Sequence, residues 1–235
     1  MHFSDSPVAG ASIDHIAMPT CDLNALVALK RYLGWKTEGT YRPDPDKIGD
    51  GRTSMRTVVV SSPSSPSRPL PAQLALMQGI DNMRGVANQP SQVNAYLQHT
   101  RGIELMVQHI AFRIPCGKLI PLVRDWEKKG VRFITEHEGP DSPFCVVEEG
   151  GMVVRQAFTY PIMPGGLFYE LKEVLSKNEA SRVAHADEFQ DANVRKLWLA
   201  LGKLLEEKTL FKMNIFGELG PLRHSLEKRG IPIDR

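Results

Sequence analysis

The chain has 235 residues, of which 42% are hydrophobic and 24% are charged, and its formal net charge is +2 at pH 7. This length allows one domain or two small modules with a buried core, and the composition is ordinary for a globular protein. No basic stripe interleaved with aromatic residues is present, which argues against nucleic acid as a partner. No apolar run approaches the roughly 18 residues that cross a bilayer, and the first residues lack a secretory signal, so no membrane partner is expected.

The cysteines add an expectation about the compartment of the protein. Cys21, Cys116 and Cys145 have no spacing typical of a zinc site, and an odd number of cysteines cannot all pair within one chain. Reduced thiols in the cytoplasm are the simplest interpretation. The sequence also allows a homodimer without indicating one.

Taken in chain order, residues 12–78 are predicted to form a module of four strands and one helix. Its expected elements are a strand at 12–18, a helix at 22–32 and three strands at 34–41, 54–61 and 72–77. A connector follows at 79–104. Within it a short helix is predicted at 91–97, with Ser91 as its N-terminal cap.

A second module is predicted at 105–175, followed by a helical extension at 176–235. The expected elements of the module are strands at 107–111, 152–159 and 167–174 and a helix that ends at Gly130. In the extension, helices are predicted at 183–208 and 217–229. The leucine and tryptophan stripe of the first of these helices is typical of core packing.

The two modules are related by a sequence repeat around two histidines. Residues 13–17 read Ile-Asp-His-Ile-Ala and residues 107–111 read Val-Gln-His-Ile-Ala, so that His15 and His109 are 94 positions apart. In both copies a polar break, a helical run and a glycine follow the motif, which is typical of a duplicated unit. The sequence therefore predicts an α+β fold, in which paired βαβββ modules form one open, barrel-like cleft and C-terminal helices follow.

The repeat also predicts where the histidines meet, because alternate residues of a strand share a face. The residues expected on the two equivalent faces are Ile13, His15 and Ala17, and Val107, His109 and Ala111. Two modules packed by pseudo-symmetry would bring both imidazoles to one cavity. A single histidine in an apolar strand is usually a hydrogen-bonded core residue, but a matched pair favours a shared site.

A carboxylate near the end of the second module completes a set of metal-ligand types. Glu170 lies between apolar residues of the strand at 167–174, where an unpaired buried charge is costly. A solvent-facing glutamate on an edge strand is the alternative. Two strand histidines and one strand carboxylate are the set that binds ferrous iron on one face and leaves three positions open. His15, His109 and Glu170 are therefore candidate metal ligands.

Together these features resemble the vicinal-oxygen-chelate superfamily and, within it, the catalytic C-terminal half of the 4-hydroxyphenylpyruvate dioxygenase family. The Ser-Gln-Ile helix start of that family corresponds here to 91–93, which read Ser-Gln-Val. Its late strand, Leu-Leu-Gln-Ile-Phe-Thr-x-Pro, corresponds to 154–161, and its Val-Phe-Phe-Glu segment corresponds to 167–170. The Lys-Arg-Gly that ends its closing helix is found at 228–230. The resemblance thus spans about residues 12–230.

The resemblance implies an activity and a set of residue roles. His15, His109 and Glu170 correspond to the ligands of Fe(II) in an enzyme that takes a 2-oxo acid and dioxygen. Such an enzyme couples oxidative decarboxylation to hydroxylation of the same molecule. The residues that correspond to substrate-pocket positions are Gln92, Gln156 and Thr57, together with Leu210, Asn214 and Ile215 on the inward edge of a closing helix that acts as a lid.

The sequence departs from the family pattern in the substrate pocket. Met77 stands where the family has an amide, and Leu210 and Ile215 stand where it has phenylalanines. Met77 cannot hydrogen-bond a substrate as an amide does, and a site loses discrimination when such a partner is absent. We therefore expect 4-hydroxyphenylpyruvate to be a poor substrate and a less polar or differently shaped 2-oxo acid to be the true one.

Three other interpretations stay open on the sequence. An extradiol catechol dioxygenase uses the same ligand types and needs an acid–base residue in its pocket, for which His137 and Tyr160 are candidates. A glyoxalase-type lyase or isomerase would use a divalent metal without redox chemistry. A metal-free resistance protein that binds a small molecule would not need both histidines and the glutamate. Metal content distinguishes these interpretations best.

Overall fold

A computed structural model describes the parts of the chain that hold most of the predicted strands. The described residues are 10–41, 55–63, 72–80, 91–99, 107–134, 143–149, 151–161, 167–180, 187–188, 224 and 227–230. The pocket positions predicted at 210, 214 and 215 lie outside them, as does His137. Within the described residues, no helix is long and apolar enough to cross a membrane.

The first module follows its predicted order of elements. Its bounds are β1 Ser12–Pro19, α1 Leu23–Tyr32, β2 Lys36–Tyr41, β3 Met55–Ser61 and β4 Gln73–Gly79, and the short helix after it is α2 Gln92–His99. Each element is within two residues of its predicted bounds, which is the usual uncertainty of an element end. The sequence prediction of this half is therefore confirmed element by element.

The second module repeats the order of the first with one interruption. Its bounds are β5 His109–Arg113, α3 Leu119–Lys128, β6 Phe133–Ile134, β7 Cys145–Glu149, β8 Met152–Thr159 and β9 Phe168–Val174, followed by α4 Lys177–Ala180 and β10 Asp187–Glu188. Both β6 and β7 run antiparallel to β8 and pair with successive parts of it. The two short strands therefore take the place that β2 occupies in the first module.

All ten strands of the described residues lie in one sheet. Its order is β10-β7-β8-β9-β5-β1-β4-β3-β2, with β6 also on β8. The two modules meet at the antiparallel pair β1–β5, and each of these strands has a parallel neighbour from its own module, β4 beside β1 and β9 beside β5. The fold is thus α+β, with paired βαβββ modules in one open sheet, as the repeat predicts.

The register of the central strand pair β1–β5 has the symmetry of the sequence repeat. Its Cα partners include Ile16–Ile110, His15–Ala111 and Ala17–His109. Under the repeat shift of 94 positions the first pair maps onto itself, and the other two pairs map onto each other. A pseudo-twofold axis therefore passes through the middle of the sheet, between the two histidines.

The first backbone N–H groups of the helices are capped by a residue just before the helix or by a side chain from a strand. Asp22 caps α1 and Ser91 caps α2, through hydrogen bonds of 2.9 and 3.2 Å that their side chains accept from backbone N–H groups. The cap at Ser91 confirms the sequence prediction. The start of α3 has no side-chain cap of its own. Glu173 of β9 accepts from its first N–H at 3.2 Å and is itself paired with Arg155 at 2.6 Å.

The two long helices end alike, at glycines that the repeat predicts. Gly34 follows α1 with a φ of 82°, and Gly130 follows α3 with a φ of 87°. In both copies the N–H of the residue after the glycine returns to a carbonyl of the last turn at 2.9 Å. This left-handed termination is one that glycine adopts without a steric penalty.

The sheet separates the helices from a cleft. On one face, α1 packs against the first module and α3 against the second, each over its own apolar cluster. The opposite face carries a third apolar group, here named the cleft cluster, made of Ala17, Met55, Ala75, Met77, Val93, Leu97, Ile134, Phe158 and Phe168. Because α2 supplies Val93 and Leu97 to it, this helix forms one side of the cleft.

Two predictions about the fold are wrong at the described residues. Ile13 was expected on the face of His15, but it pairs with Phe112 on the opposite face and is 59% exposed. The cause is a register shift between Ile13 and His15, a β-bulge in which Asp14 is the extra residue.

The second correction concerns the helix predicted at 183–208. Its described residues, Asp187–Glu188, form β10, which pairs in parallel with β7. An edge strand offers unpaired backbone groups, and pairing with such an edge overrides local helix propensity. The rest of that range lies outside the described residues. In the helix predicted at 217–229, the described residues 224, 227 and 228 are helical.

Candidate metal centre

The three candidate ligands come from neighbouring strands at the middle of the sheet. His15 lies on β1, His109 begins β5, and Glu170 lies on β9, where it is the Cα partner of Ala111. Since Ala111 is in turn the partner of His15, all three side chains leave the same face of the sheet. The strand alternation and the register therefore bring together residues that are far apart in the sequence.

The ligand atoms of the three residues are close enough to share one ion. The Nε2 atoms of His15 and His109 are 3.3 Å apart, and Oε2 of Glu170 is 3.7 Å from the first and 3.4 Å from the second. Three atoms with these separations lie on a circle of about 2 Å radius, close to the length of a metal–nitrogen or metal–oxygen bond. Among the described residues, these three form the group of side chains that can hold a metal ion.

The hydrogen bonds on the far side of each ring fix which nitrogen faces this point. Nδ1 of His15 donates to the Asp14 carboxylate at 3.0 Å, and Nδ1 of His109 lies 3.3 Å from the side-chain oxygen of Gln108. In the tautomer in which both Nδ1 atoms donate, each ring presents an Nε2 lone pair towards Glu170, as metal binding requires; without a metal, Nε2 of His109 donates to Glu170 instead. Three electron-pair donors at this spacing repel each other unless a cation lies between them, so the donor set fits a metal ion.

The electrostatics of the site favour a charged carboxylate and a neutral imidazole. Burial tends to raise the pKa of Glu170, but the hydrogen bond from His109 and the nearby His15 and Lys172 outweigh it and lower this pKa to about 2. Burial lowers the pKa of His109. Near neutral pH Glu170 is therefore ionised and His109 is unprotonated, which are the forms that bind a metal.

The pseudo-symmetry shows that the fourth equivalent position holds no ligand. Ala75 is the Cα partner of Ala17 on β4, as Glu170 is the partner of Ala111 on β9. The repeat maps Ala17 onto Ala111, so Ala75 occupies the position equivalent to Glu170. The methyl group of Ala75 is buried and cannot coordinate. The described part of the site thus offers three protein donors.

Two of the predicted pocket residues occupy equivalent places on either side of the axis. Thr57 pairs with Met77 across β3–β4, and Gln156 pairs with Lys172 across β8–β9. Gln156 is buried and its amide donates to Oε1 of Glu170 at 3.0 Å, which directs the other carboxylate oxygen towards the histidines. The hydroxyl oxygen of Thr57 is buried and has no hydrogen-bond partner among the described residues.

The remaining predicted positions divide into those that the structure describes and those that it does not. Met77 is 3% exposed within the cleft cluster, and Tyr160 packs against that cluster with the guanidinium of Arg132 over its ring at 4.2 Å. Gln92 begins α2, whose next residue, Val93, faces the cleft cluster. The side chain of Gln92 lies outside what is described, as do Leu210, Asn214 and Ile215.

Three polar residues of the site were missed by the sequence analysis, namely Asp14, Gln108 and Lys172. Burial tends to raise the pKa of Asp14, but hydrogen bonds from His15 and Lys172 outweigh it, so this pKa is lowered. The signal for Asp14 and Gln108 was present in the repeat, since both precede the histidines at equivalent positions. Lys172 carried no such signal, because its counterpart in the first module is Met77.

Comparisons with known proteins found matches among solved structures only. No protein-family model and no curated protein matches the chain. Among solved structures, a methylmalonyl-CoA epimerase is 16% identical over 68% of this chain and 93% of its own, with a TM-score of 0.46. The Streptomyces coelicolor methylmalonyl-CoA epimerase in complex with 2-nitronate-propionyl-CoA is 22% identical, covering 68% of this chain and 95% of its own, with a TM-score of 0.44.

A third solved structure is a fusion of a xylose isomerase-like TIM barrel with a 4-hydroxyphenylpyruvate dioxygenase. It is 15% identical over 81% of this chain and 29% of its own, with a TM-score of 0.46. The fold class follows from the chain's own topology, which has paired βαβββ modules about a pseudo-twofold axis in one open sheet. Its chemistry has to be inferred from the geometry of the site.

Proposed function

We propose that the chain is a non-haem Fe(II) dioxygenase that acts on a 2-oxo acid and couples oxidative decarboxylation to hydroxylation of the same molecule. One observation carries the proposal: His15, His109 and Glu170 converge, while Ala75 occupies the fourth equivalent position. Three protein ligands on a six-coordinate ion leave three positions open. A bidentate 2-oxo acid needs two of these positions and dioxygen needs the third.

When bound, Fe(II) supplies the redox chemistry with dioxygen, and the protein supplies orientation and a dry site. Gln156 holds Glu170 with one oxygen towards the histidines, so the carboxylate contributes that oxygen to the ligand set. Phe168 stacks on the ring of His109 with centroids 5.0 Å apart, and Phe158 packs against Phe168. These rings exclude water from the side of the cleft that holds the ligands.

The substrate specificity is proposed to come from the first module. Met77, Met55 and Ala75 give that side of the cleft an apolar surface, and the hydroxyl of Thr57, which has no partner among the described residues, is a polar group within it. A largely apolar tail with one hydrogen-bonding group fits this wall better than a phenol ring held by an amide. Gln92, Asn214 and Ile215 are proposed to contact the same substrate.

The decisive experiment combines metal analysis with a substrate panel. Protein purified without oxygen is expected to contain about one iron per chain, and anaerobic addition of 2-oxo acids should change the spectrum of the bound metal. Oxygen uptake and carbon dioxide release are then measured with aromatic and aliphatic 2-oxo acids and with catechols. Ring cleavage of a catechol with every 2-oxo acid inert would overturn the proposal in favour of extradiol cleavage, and zinc or nickel at full activity would favour a lyase or isomerase.

A variant at the fourth position tests the open coordination directly. Ala75→Glu places a carboxylate at the position of the first module that is equivalent to Glu170. Because this carboxylate would occupy one open coordination position, we expect metal to stay bound and 2-oxo acid turnover to be lost. Ala75→Leu is the matched control, since it adds bulk without a ligand and should not strengthen metal binding. Undiminished turnover in Ala75→Glu with metal bound would show that the open position is not used.

A further inference from the structure

The two candidate histidine ligands have unlike partners behind them. Positions 14 and 108 are equivalent in the repeat, and each side chain contacts Nδ1 of the histidine that follows it. For His15 the partner is the carboxylate of Asp14 at 3.0 Å, whereas for His109 it is the neutral amide of Gln108 at 3.3 Å. The pseudo-symmetry of the site is therefore broken immediately behind the ligands.

Asp14 lies at the bulge of β1, whereas Gln108 contacts His109 from the position just before β5. In a regular strand Asp14 would point to the opposite face from His15. The register shift between Ile13 and His15 makes Asp14 an extra residue opposite β5, and a bulge directs such a side chain to a new side. Adjacent residues can thus both reach the site, one as ligand and one as its hydrogen-bond acceptor.

The carboxylate of Asp14 is itself held in place and compensated in charge. Lys172 of β9 lies 2.9 Å from the oxygen that also accepts from His15, and both side chains are 5% exposed. Arg113, whose exposed side chain lies at the end of β5, donates to the other oxygen through Nε at 3.0 Å. Asp14 therefore links all three strands that carry candidate ligands.

We infer that Asp14 is a positioning residue for His15, which it holds with Nε2 towards the metal and makes a stronger electron donor than His109. A carboxylate that accepts from the far ring nitrogen orients a ligating imidazole and raises its basicity, and its loss typically lowers metal affinity by 10- to 100-fold. A neutral amide polarises the ring less. The inference rests on the metal-binding part of the proposed function and not on the substrate or the reaction.

The experiment uses the full chain loaded with Co(II), which serves as a spectroscopic probe of the site. Proton NMR of the Co(II) protein is expected to show two exchangeable, strongly shifted signals, one from the Nδ1 proton of each histidine. Asp14→Ala should remove or broaden the His15 signal by opening it to water, and should weaken Co(II) binding by roughly 10- to 100-fold. Gln108→Ala is the matched control and should affect the other signal, with a smaller loss of affinity.

Two further variants separate positioning from folding. Asp14→Asn keeps an acceptor but loses the charge, so its Co(II) affinity should lie between those of the wild type and Asp14→Ala. Because Asp14→Ala leaves Lys172 without this carboxylate, Asp14→Asn combined with Lys172→Met provides a charge-balanced background. If Asp14→Ala and Gln108→Ala weaken binding equally, or if the His15 signal persists without Asp14, the inference is wrong. Failure of every 2-oxo acid as substrate would leave it untouched.

Discussion

At the scale of single residues, the site depends on three side chains whose loss should reduce metal binding more than the stability of the fold. His15→Ala, His109→Ala and Glu170→Ala are each expected to abolish stoichiometric iron binding and turnover, because each removes one of three converging donors. Gln156→Leu should weaken binding roughly 10- to 100-fold, since it only orients Glu170. Metal titration and circular dichroism provide the measurements.

Lys129→Ala is the control for this series, because Lys129 is 62% exposed and forms an ion pair on the surface of α3. It should change neither metal content nor turnover. Near-normal iron content and rate in any one of the three ligand variants would remove that residue from the proposed ligand set.

The same residues show which parts of the site can be predicted from the sequence. His15 and His109 could be paired because the repeat is visible in the letters, and Glu170 because a carboxylate in an apolar strand needs a partner. The repeat marks positions 14 and 108 as equivalent, but it does not predict the β-bulge at Asp14, because a bulge is a property of strand pairing and leaves no alternation in the sequence. The contact between Lys172 and Asp14 depends on a register across three strands, which no local pattern encodes.

At the scale of elements, the glycines that end α1 and α3 allow the cost of a left-handed backbone conformation to be separated from the cost of a steric clash. Gly34→Ala should cost about 1–2 kcal/mol of unfolding free energy, because the left-handed conformation is unfavourable with a Cβ, while the Cβ itself would make only an ordinary contact with Pro63. Gly130→Ala should cost slightly more, since the exposed end of the Arg229 side chain would have to move away from its Cβ.

Urea unfolding of both variants measures the difference. Arg229→Ala in the Gly130→Ala background is expected to recover the unfolding free energy that is lost to the clash with Arg229. The loss that is due to the left-handed backbone conformation should remain. Equal losses for the two glycines would mean that Arg229 moves aside at no cost.

Element prediction worked where the signal is local and failed where pairing decides. Alternation, caps and helix-ending glycines predict β1 to β4, both long helices and β8, and the sequence also predicts the cap at Ser91. The strand β7 was missed, because it is defined by its pairing with β8. The strand β10 was predicted as helix for a related reason, since two residues on a sheet edge carry little pattern of their own.

At the scale of the whole molecule, a symmetric scaffold carries an asymmetric cleft. The equivalent positions of the two modules are Ala75 and Glu170, Thr57 and Gln156, and Met77 and Lys172. The second module has thus placed its polar groups around the metal position, while the first has kept small, apolar or singly polar residues. This division supports the proposal that the second module supplies two of the three ligands, with His15 as the third from the first module, and that the first module receives the tail of the substrate.

The buried charges of this cleft also connect the site to the acid stability of the molecule without metal. The pKa of Glu170 is about 2 in the fold against 4.5 for the ordinary group, so between these values the unfolded chain takes up a proton that the folded chain does not. The unfolding free energy should therefore fall as pH decreases from about 4.5 to about 2, by up to about 3 kcal/mol from this group. His109 has the same effect on the unfolding free energy. Because its pKa in the fold is lowered from the ordinary value of 6.5, the unfolded chain takes up a proton below pH 6.5 that the folded chain does not.

Urea unfolding of the metal-free protein between pH 7 and pH 3 measures this dependence. Glu170→Gln is expected to flatten the part of the curve below pH 4.5, since the variant has no carboxylate at this position to take up a proton. Glu127→Gln, which removes a carboxylate from the surface of α3, is the matched control and should leave the curve unchanged. An unchanged acid limb in Glu170→Gln would mean that other buried groups, such as Asp14, set the acid stability.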